Sequence, residues 1–233
     1  MADPIFWPGN LLKPQKISVD LAHRNLRTPS AANGFTQVVS NSAGLWKVSF
    51  SDIPVYNSQL IKVWRAIDTL SEGQLNPISL PVWDFPRSPG SLDDFGTNIT
   101  KVVNQKVPFS DGSLFSDESG YVSSYTNITV AVDSVAGTTA VSLAKSLPLV
   151  TLEPGQRFSV SDRLYQIQRI ISQTDSVAVV SIRPPLRKAI TSGERAEFDM
   201  PRVRVKLTSD TSMSLPLNFN QQSFPALDFI EDV

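Results

Sequence analysis

The sequence contains no cysteine and a single histidine, His23. Disulfides, thiolate nucleophiles, cysteine-held zinc and iron–sulfur clusters are therefore excluded. A multi-histidine metal centre is excluded too, and any histidine-dependent catalysis must run through His23. Charged residues are scarce, at 18% of 233, and sum to a net charge of −1, which argues against a general polyanion binder. No apolar run approaches the roughly 20 residues of a membrane-spanning helix. The stretch Met1 to Pro8 lacks the basic region and apolar run of a secretory signal. The expectation is a soluble protein with no membrane contact, folding in a reducing, cytoplasm-like compartment. There Asn98-Ile99-Thr100 and Asn127-Ile128-Thr129 are chance matches to the glycosylation pattern.

Period-two alternation dominates what is present, and it predicts a mainly β protein. Ile17, Val19 and Leu21 share one strand face, and Trp46, Val48 and Phe50 another. Ile78, Leu80 and Val82, then Ile128, Val130 and Val132, then Val203, Val205 and Leu207 repeat the pattern. Such strands suit sheets with one face in a core and the other toward solvent or a partner. Val177 to Ile182 is instead a continuous apolar run, expected to be buried on both faces or covered by a neighbour. One segment, 57–72, has helical period, with Leu60, Val63, Trp64, Ile67 and Leu70 on one stripe. Asn57 or Ser58 can cap its start and Gly73 can end it. A single amphipathic helix has no core of its own and must lie on a sheet.

Prolines and loop-forming residues punctuate the chain at Pro81 to Pro89, Phe109 to Tyr121, Pro184-Pro185 and Met200-Pro201. They divide it into a β domain of residues 1–100 and 196–233, carrying the helix, and an inserted β domain of residues 101–195. Charge is unevenly spread. Val107 to Ala144 holds four acids and no base, while Arg183 to Lys206 holds seven bases against three acids. Separated patches of opposite sign on a neutral chain suit self-association or a charged partner, and equally suit solvated loops.

Reactive constellations are absent. No Gly-x-Ser-x-Gly elbow accompanies His23, and no Gly-Lys-Ser/Thr phosphate loop occurs. Asp84, Asp93, Asp94, Asp111, Asp117 and Glu118 are the carboxylates open to glycoside hydrolysis, but they sit in loop contexts where acids form turns and caps. Asp111 to Glu118 lacks the ligand alternation of a calcium loop. The expectation is a non-enzymatic protein without metal or cofactor. Trp46 and Trp64 fall in phase with core positions. Trp7, flanked by proline and glycine at a terminus, is the candidate intersubunit anchor, joined by the cationic strand face Arg202, Arg204 and Lys206.

Four segments resemble the distal tail proteins of long-tailed bacteriophages. They are Gly44-Leu45-Trp46-Lys47-Val48-Ser49-Phe50 with the helix ending near Gly73, Pro81-Val82-Trp83-Asp84, and Pro108 to Asp117 leading to Tyr121. The fourth is Leu152 to Val160 continuing through Arg163-Leu164-Tyr165-Gln166-Ile167 to Arg183-Pro184-Pro185-Leu186-Arg187. Phe229-Ile230-Glu231 matches the closing aromatic-acidic strand of that family. The resemblance spans most of the chain in the same order. It implies a tail-tube-like β-sandwich or split-barrel domain that forms a ring, usually a hexamer, at the distal end of the tail tube. The inserted domain would project outward. The implied partners are copies of this chain, the tail tube protein, the tail-tip hub protein and fibres, with DNA passing through the lumen without specific binding. The implied location is the virion tail tip, assembled in the host bacterial cytoplasm. A carbohydrate-binding β-sandwich for host-surface recognition is the alternative.

Overall fold

The structure, a computed structural model, describes residues 3–27, 38–83, 106–107, 113, 116, 121–122, 128–145, 151–218 and 222–233. Elements follow in chain order as β1 (Ile5–Phe6), β2 (Lys16–Arg27), β3 (Val38–Ser51), α1 (Ser58–Ser71), β4 (Ile78–Pro81), β5 (Lys106–Val107) and β6 (Tyr121–Val122). Then come β7 (Ile128–Val130), β8 (Ala140–Lys145), β9 (Arg157–Val160), β10 (Arg163–Gln173), β11 (Val177–Arg183), β12 (Arg195–Glu197), β13 (Arg202–Leu207) and β14 (Leu227–Glu231). Among the described residues the protein is mainly β with one helix. The chain divides into two units, Met1–Trp83 with Arg202–Val233, and Asp84–Pro201.

The first unit is a six-stranded sheet in the order β1-β4-β13-β14-β3-β2. All neighbours are antiparallel except the parallel β1–β4 pair. Alternation puts Trp46, Val48 and Phe50 on the same side as Phe229, Leu227 and Val205, and all are buried. Trp7 sits among them, edge-on to Phe50 at 5.8 Å, Phe229 at 6.1 Å and Trp64 at 6.4 Å between ring centroids. These tilted contacts suit the ring quadrupoles.

α1 closes this core. Asn57 Oδ1 accepts the Leu60 N–H at 2.8 Å as the N-cap. Its buried face is Leu60, Ile61, Trp64, Ile67 and Ser71, and the Trp64 indole N–H donates to the Met213 carbonyl at 2.8 Å. The stripe read from sequence included Leu70, which is exposed, and Val63, which is only half-buried. The buried stripe leans toward Ile61 and Ser71 instead, because Trp64 fixes the rotation of the helix about its axis. The helix ends where Glu72 and Gly73 turn left-handed, with φ of 46° and 66°. A Cβ on Gly73 would lie 2.5 Å from Asp210 Oδ1, so this position requires glycine.

The second unit contains a closed barrel, β10-β11-β8-β7-β12-β9, antiparallel throughout. Its interior is filled by alternate residues such as Val141 and Leu143, Ala178, Val180 and Ile182, and Tyr165 and Ile167. Phe158 stacks on Phe198 at 5.0 Å and leans on Tyr165 at 5.8 Å. Gly155, at φ +93°, makes the turn into β9. β5 and β6 form a separate two-stranded pair.

Several expectations need correction. Residues 196–201 belong with the second unit, since β12 pairs with β7 and β9 of the barrel. Val177 to Ile182 is not buried on both faces. Ala178, Val180 and Ile182 point inward, while Val177, Val179 and Ser181 are half-buried. A closed barrel has one interior, so even an apolar strand alternates within it. β4, in contrast, is buried along its whole length, Ser79 and Pro81 included, because it is an internal strand between β1 and β13. Val132 lies beyond the end of β7 and is exposed.

Candidate assembly surface

Trp7 is 3% exposed, and its indole N–H donates to the Leu12 carbonyl at 2.9 Å within the same protomer. It is a core residue and offers no surface to a neighbour, which overturns its reading as an anchor. Its predecessor takes the outward place. Phe6 is 62% exposed, and the Arg202 guanidinium carbon lies 5.0 Å from its ring centroid. Successive side chains on a strand point to opposite faces. Within Ile5-Phe6-Trp7 one residue of register therefore decided which aromatic went in, and flanking prolines did not reveal it.

Arg202, Arg204 and Lys206 alternate with buried Val203, Val205 and Leu207, so they share the outer face of the sheet. Arg204 Nε donates to Asp232 Oδ2 at 2.8 Å, and Lys206 Nζ reaches Asp232 Oδ1 at 3.0 Å. The Asp232 N–H in turn donates to the Arg204 carbonyl at 3.1 Å, carrying the β13–β14 ladder past its last paired strand residue. The Arg204 and Asp232 side chains are only 12% and 11% exposed. Burial works to raise the Asp232 carboxyl, but hydrogen bonds and charge from Arg204 and Lys206 outweigh it and hold the group below its ordinary range. Two of the three expected seam cations therefore serve an ion-pair network inside the protomer. Reversing the charge of Arg204 would disturb that network first, so it is a poor probe of assembly.

The two edges of the sheet are unlike. β1 is short and flanked by Pro4 and Pro8, which blunts it as a pairing template. The opposite edge is β2, paired with β3 from Lys16↔Ser51 to Arg27↔Val38. β14 accompanies β3 only from Phe50 to Lys47. At Trp46 the ladder is replaced by a side chain, as Glu231 Oε2 accepts the Trp46 N–H at 3.1 Å. Beyond that point, among the described residues, β2 and β3 continue as a two-stranded ribbon with no third strand. Val38 to Leu45 spans about 25 Å of it. From Leu21 to Ser51 the sequence has no Asp or Glu, while the ribbon carries Arg24 and Arg27. The alternation read from sequence covers only Ile17 to Leu21 and Trp46 to Phe50, so the pairing of these strands beyond the sheet was not visible in it.

His23 is exposed at the bulge between Ala22 and Arg24. Among the described residues, no group of three or more His, Cys, Asp or Glu is placed to hold a metal ion, and no helix is long and apolar enough to cross a membrane. Asp84, Asp93, Asp94, Asp111, Asp117 and Glu118 lie outside the described residues. No protein-family model matches the chain, and no curated protein matches it in sequence.

Proposed function

We propose that this chain is a structural subunit that assembles with copies of itself into a ring at the distal end of a phage tail tube, as a distal tail protein. The observation that carries the reading is the β2–β3 ribbon. Two strands alone are marginal in water, and among the described residues no third strand covers either edge of the ribbon, which leaves each edge a template for pairing. Burial against another copy satisfies both edges. Because one sheet edge is a long open ribbon and the other a blunted two-residue strand, the contact between copies is head-to-tail. A head-to-tail contact closes into a ring when the rotation between neighbours allows it. The acid-free ribbon belongs at a seam rather than facing DNA in the lumen, where cations would make the passing polyanion stick. The tail location and its partners, the tube protein, the hub and fibres, rest on the resemblance of the four segments.

The test shortens the ribbon, joining Ala22 to its partner Leu45 through Asn-Gly, a two-residue hairpin turn. Native mass spectrometry and light scattering should find a closed ring for the intact chain and a monomer for the shortened one. Tryptophan fluorescence should be unchanged, since the core tryptophans lie outside the deletion. An intact chain that stays monomeric at every concentration, or a shortened one that assembles as well, overturns the proposal.

A further inference from the structure

Just before α1 the first unit holds a short antiparallel pair outside its named strands. Val55 and Ser223 exchange both backbone hydrogen bonds at 2.9 Å, and the Ile53 N–H donates to the Pro225 carbonyl at 3.1 Å. This register sets Pro54 opposite Phe224 and Tyr56 opposite Gln222. Ile53, Val55 and Ser223 are buried, so alternation turns the other four residues to the opposite side. Tyr56 is 57% exposed and Phe224 55%, Gln222 is exposed, and Pro54 is half-buried. The two aromatics are diagonal neighbours, about 7–8 Å apart across the pair. The segments that build this surface carry no charge. There is no Asp, Glu, Lys or Arg from Ile53 to Ile61, nor from Thr211 to Leu227. Asp52, which precedes them, is paired with Lys16 at 2.9 Å. No hydrogen bond joins the Tyr56 hydroxyl or the Gln222 carboxamide to another described residue.

We infer that this surface is a binding site for a neutral polysaccharide. A pyranose ring has one face rich in C–H bonds and a rim of hydroxyls. An aromatic ring offers such a ligand an apolar body, and Tyr56 adds a polar tip. The diagonal spacing lets one sugar chain lie across both aromatics. The Gln222 carboxamide and the Tyr56 hydroxyl both donate and accept, as a sugar hydroxyl requires. The charge of the ligand follows from that of the surface. An ionic polymer would lose hydration here and meet no counter-charge, and nucleic acid would find no cation for its phosphates. The exposed residues that follow Tyr56 are Asn57, Ser58 and Gln59, amides and a hydroxyl rather than the aliphatic surround of an apolar protein seam. The site uses no residue of the β2–β3 ribbon, so it stands or falls apart from ring formation.

The experiment is affinity electrophoresis of the full-length protein through gels containing hydroxyethyl cellulose, dextran or mannan, which are neutral polysaccharides of different linkage. Alginate, a polyuronate, is the charged comparison. At least one neutral polymer should retard the protein, and added salt should not release it. Tyr56→Ala and Phe224→Ala should each weaken that binding about tenfold, the loss of one stacking contact. Tyr56→Phe keeps the ring and should weaken it less. Phe6→Ala, which removes an exposed aromatic elsewhere on the same unit, should leave it unaltered. Absence of retardation by all the neutral polymers overturns the inference, as does equal weakening by Phe6→Ala. Tighter, salt-sensitive binding to alginate overturns it as well. Native mass spectrometry of the same variants supplies the last arm. Loss of ring closure in Tyr56→Ala, without glycan binding by the intact chain, assigns the aromatics to a contact between copies and overturns it too.

Discussion

Replacing Asp232 by asparagine keeps the shape of the side chain and removes its charge. In the folded protein that charge lies 2.8 Å from Arg204 Nε and 3.0 Å from Lys206 Nζ, with Arg204 only 12% exposed. Breaking a buried pair from one side strands the other charge and costs about 3–5 kcal/mol. The Lys206 contact, at 36% exposure, adds little. A figure of about 3 kcal/mol is expected, which at a urea m-value of about 1–3 kcal/mol per molar lowers the unfolding midpoint by about 1–3 M. All four tryptophans lie in residues 1–83, so fluorescence follows the first unit without interference from the barrel. The sign with pH is fixed by linkage. The folded carboxyl titrates below its reference value of 3.8, so its contribution is fully present above that value. It is lost as pH falls through the folded pKa. The gap between wild type and Asp232→Asn should therefore be constant from about pH 5 to 8 and close toward pH 2. Coincident urea midpoints at pH 7, or a gap of the same size at pH 2, would refute the account of this network.

Lys145 follows Val141 and Leu143 on the inward side of β8 and is 7% exposed. Desolvation lowers its pKa, against a smaller opposing effect of Asp175. Lys145→Met should therefore stabilise the barrel by about 1–4 kcal/mol at pH 7. The gain, read by circular dichroism melts, should disappear as pH rises through the unfolded value of 10.5. An undiminished gain at pH 11 would point to packing alone. Trp7→Ala should cost about 3–5 kcal/mol in urea titrations of the first unit, whereas Phe6→Ala should cost less than about 1 kcal/mol. Equal costs would contradict the assignment of Trp7 to the core and Phe6 to the surface.

Alternation in Trp46-Lys47-Val48-Ser49-Phe50 and in Arg202 to Leu207 was sufficient to identify these strands and their buried faces. A side chain every second residue must face one way, whatever the partner strand. The Asn57 cap and the Gly73 stop were equally local, since each satisfies or releases backbone groups within one helical turn. The absence of cysteine and the lone histidine settled by arithmetic which chemistries the chain lacks. Tertiary structure alone decided the rest. Whether Phe6 or Trp7 entered the core depended on the β1–β4 register, and whether Leu70 was buried depended on how Trp64 docked the helix. Arg204 and Asp232 are 28 residues apart in sequence. Arg157, Gln166 and Arg183 come from three strands, and the register in which β10 pairs with β9 and β11 sets them in one row. Local sequence fixes which way a side chain points relative to its own strand. Which strand becomes its neighbour is set by the free energy of burying the whole core at once.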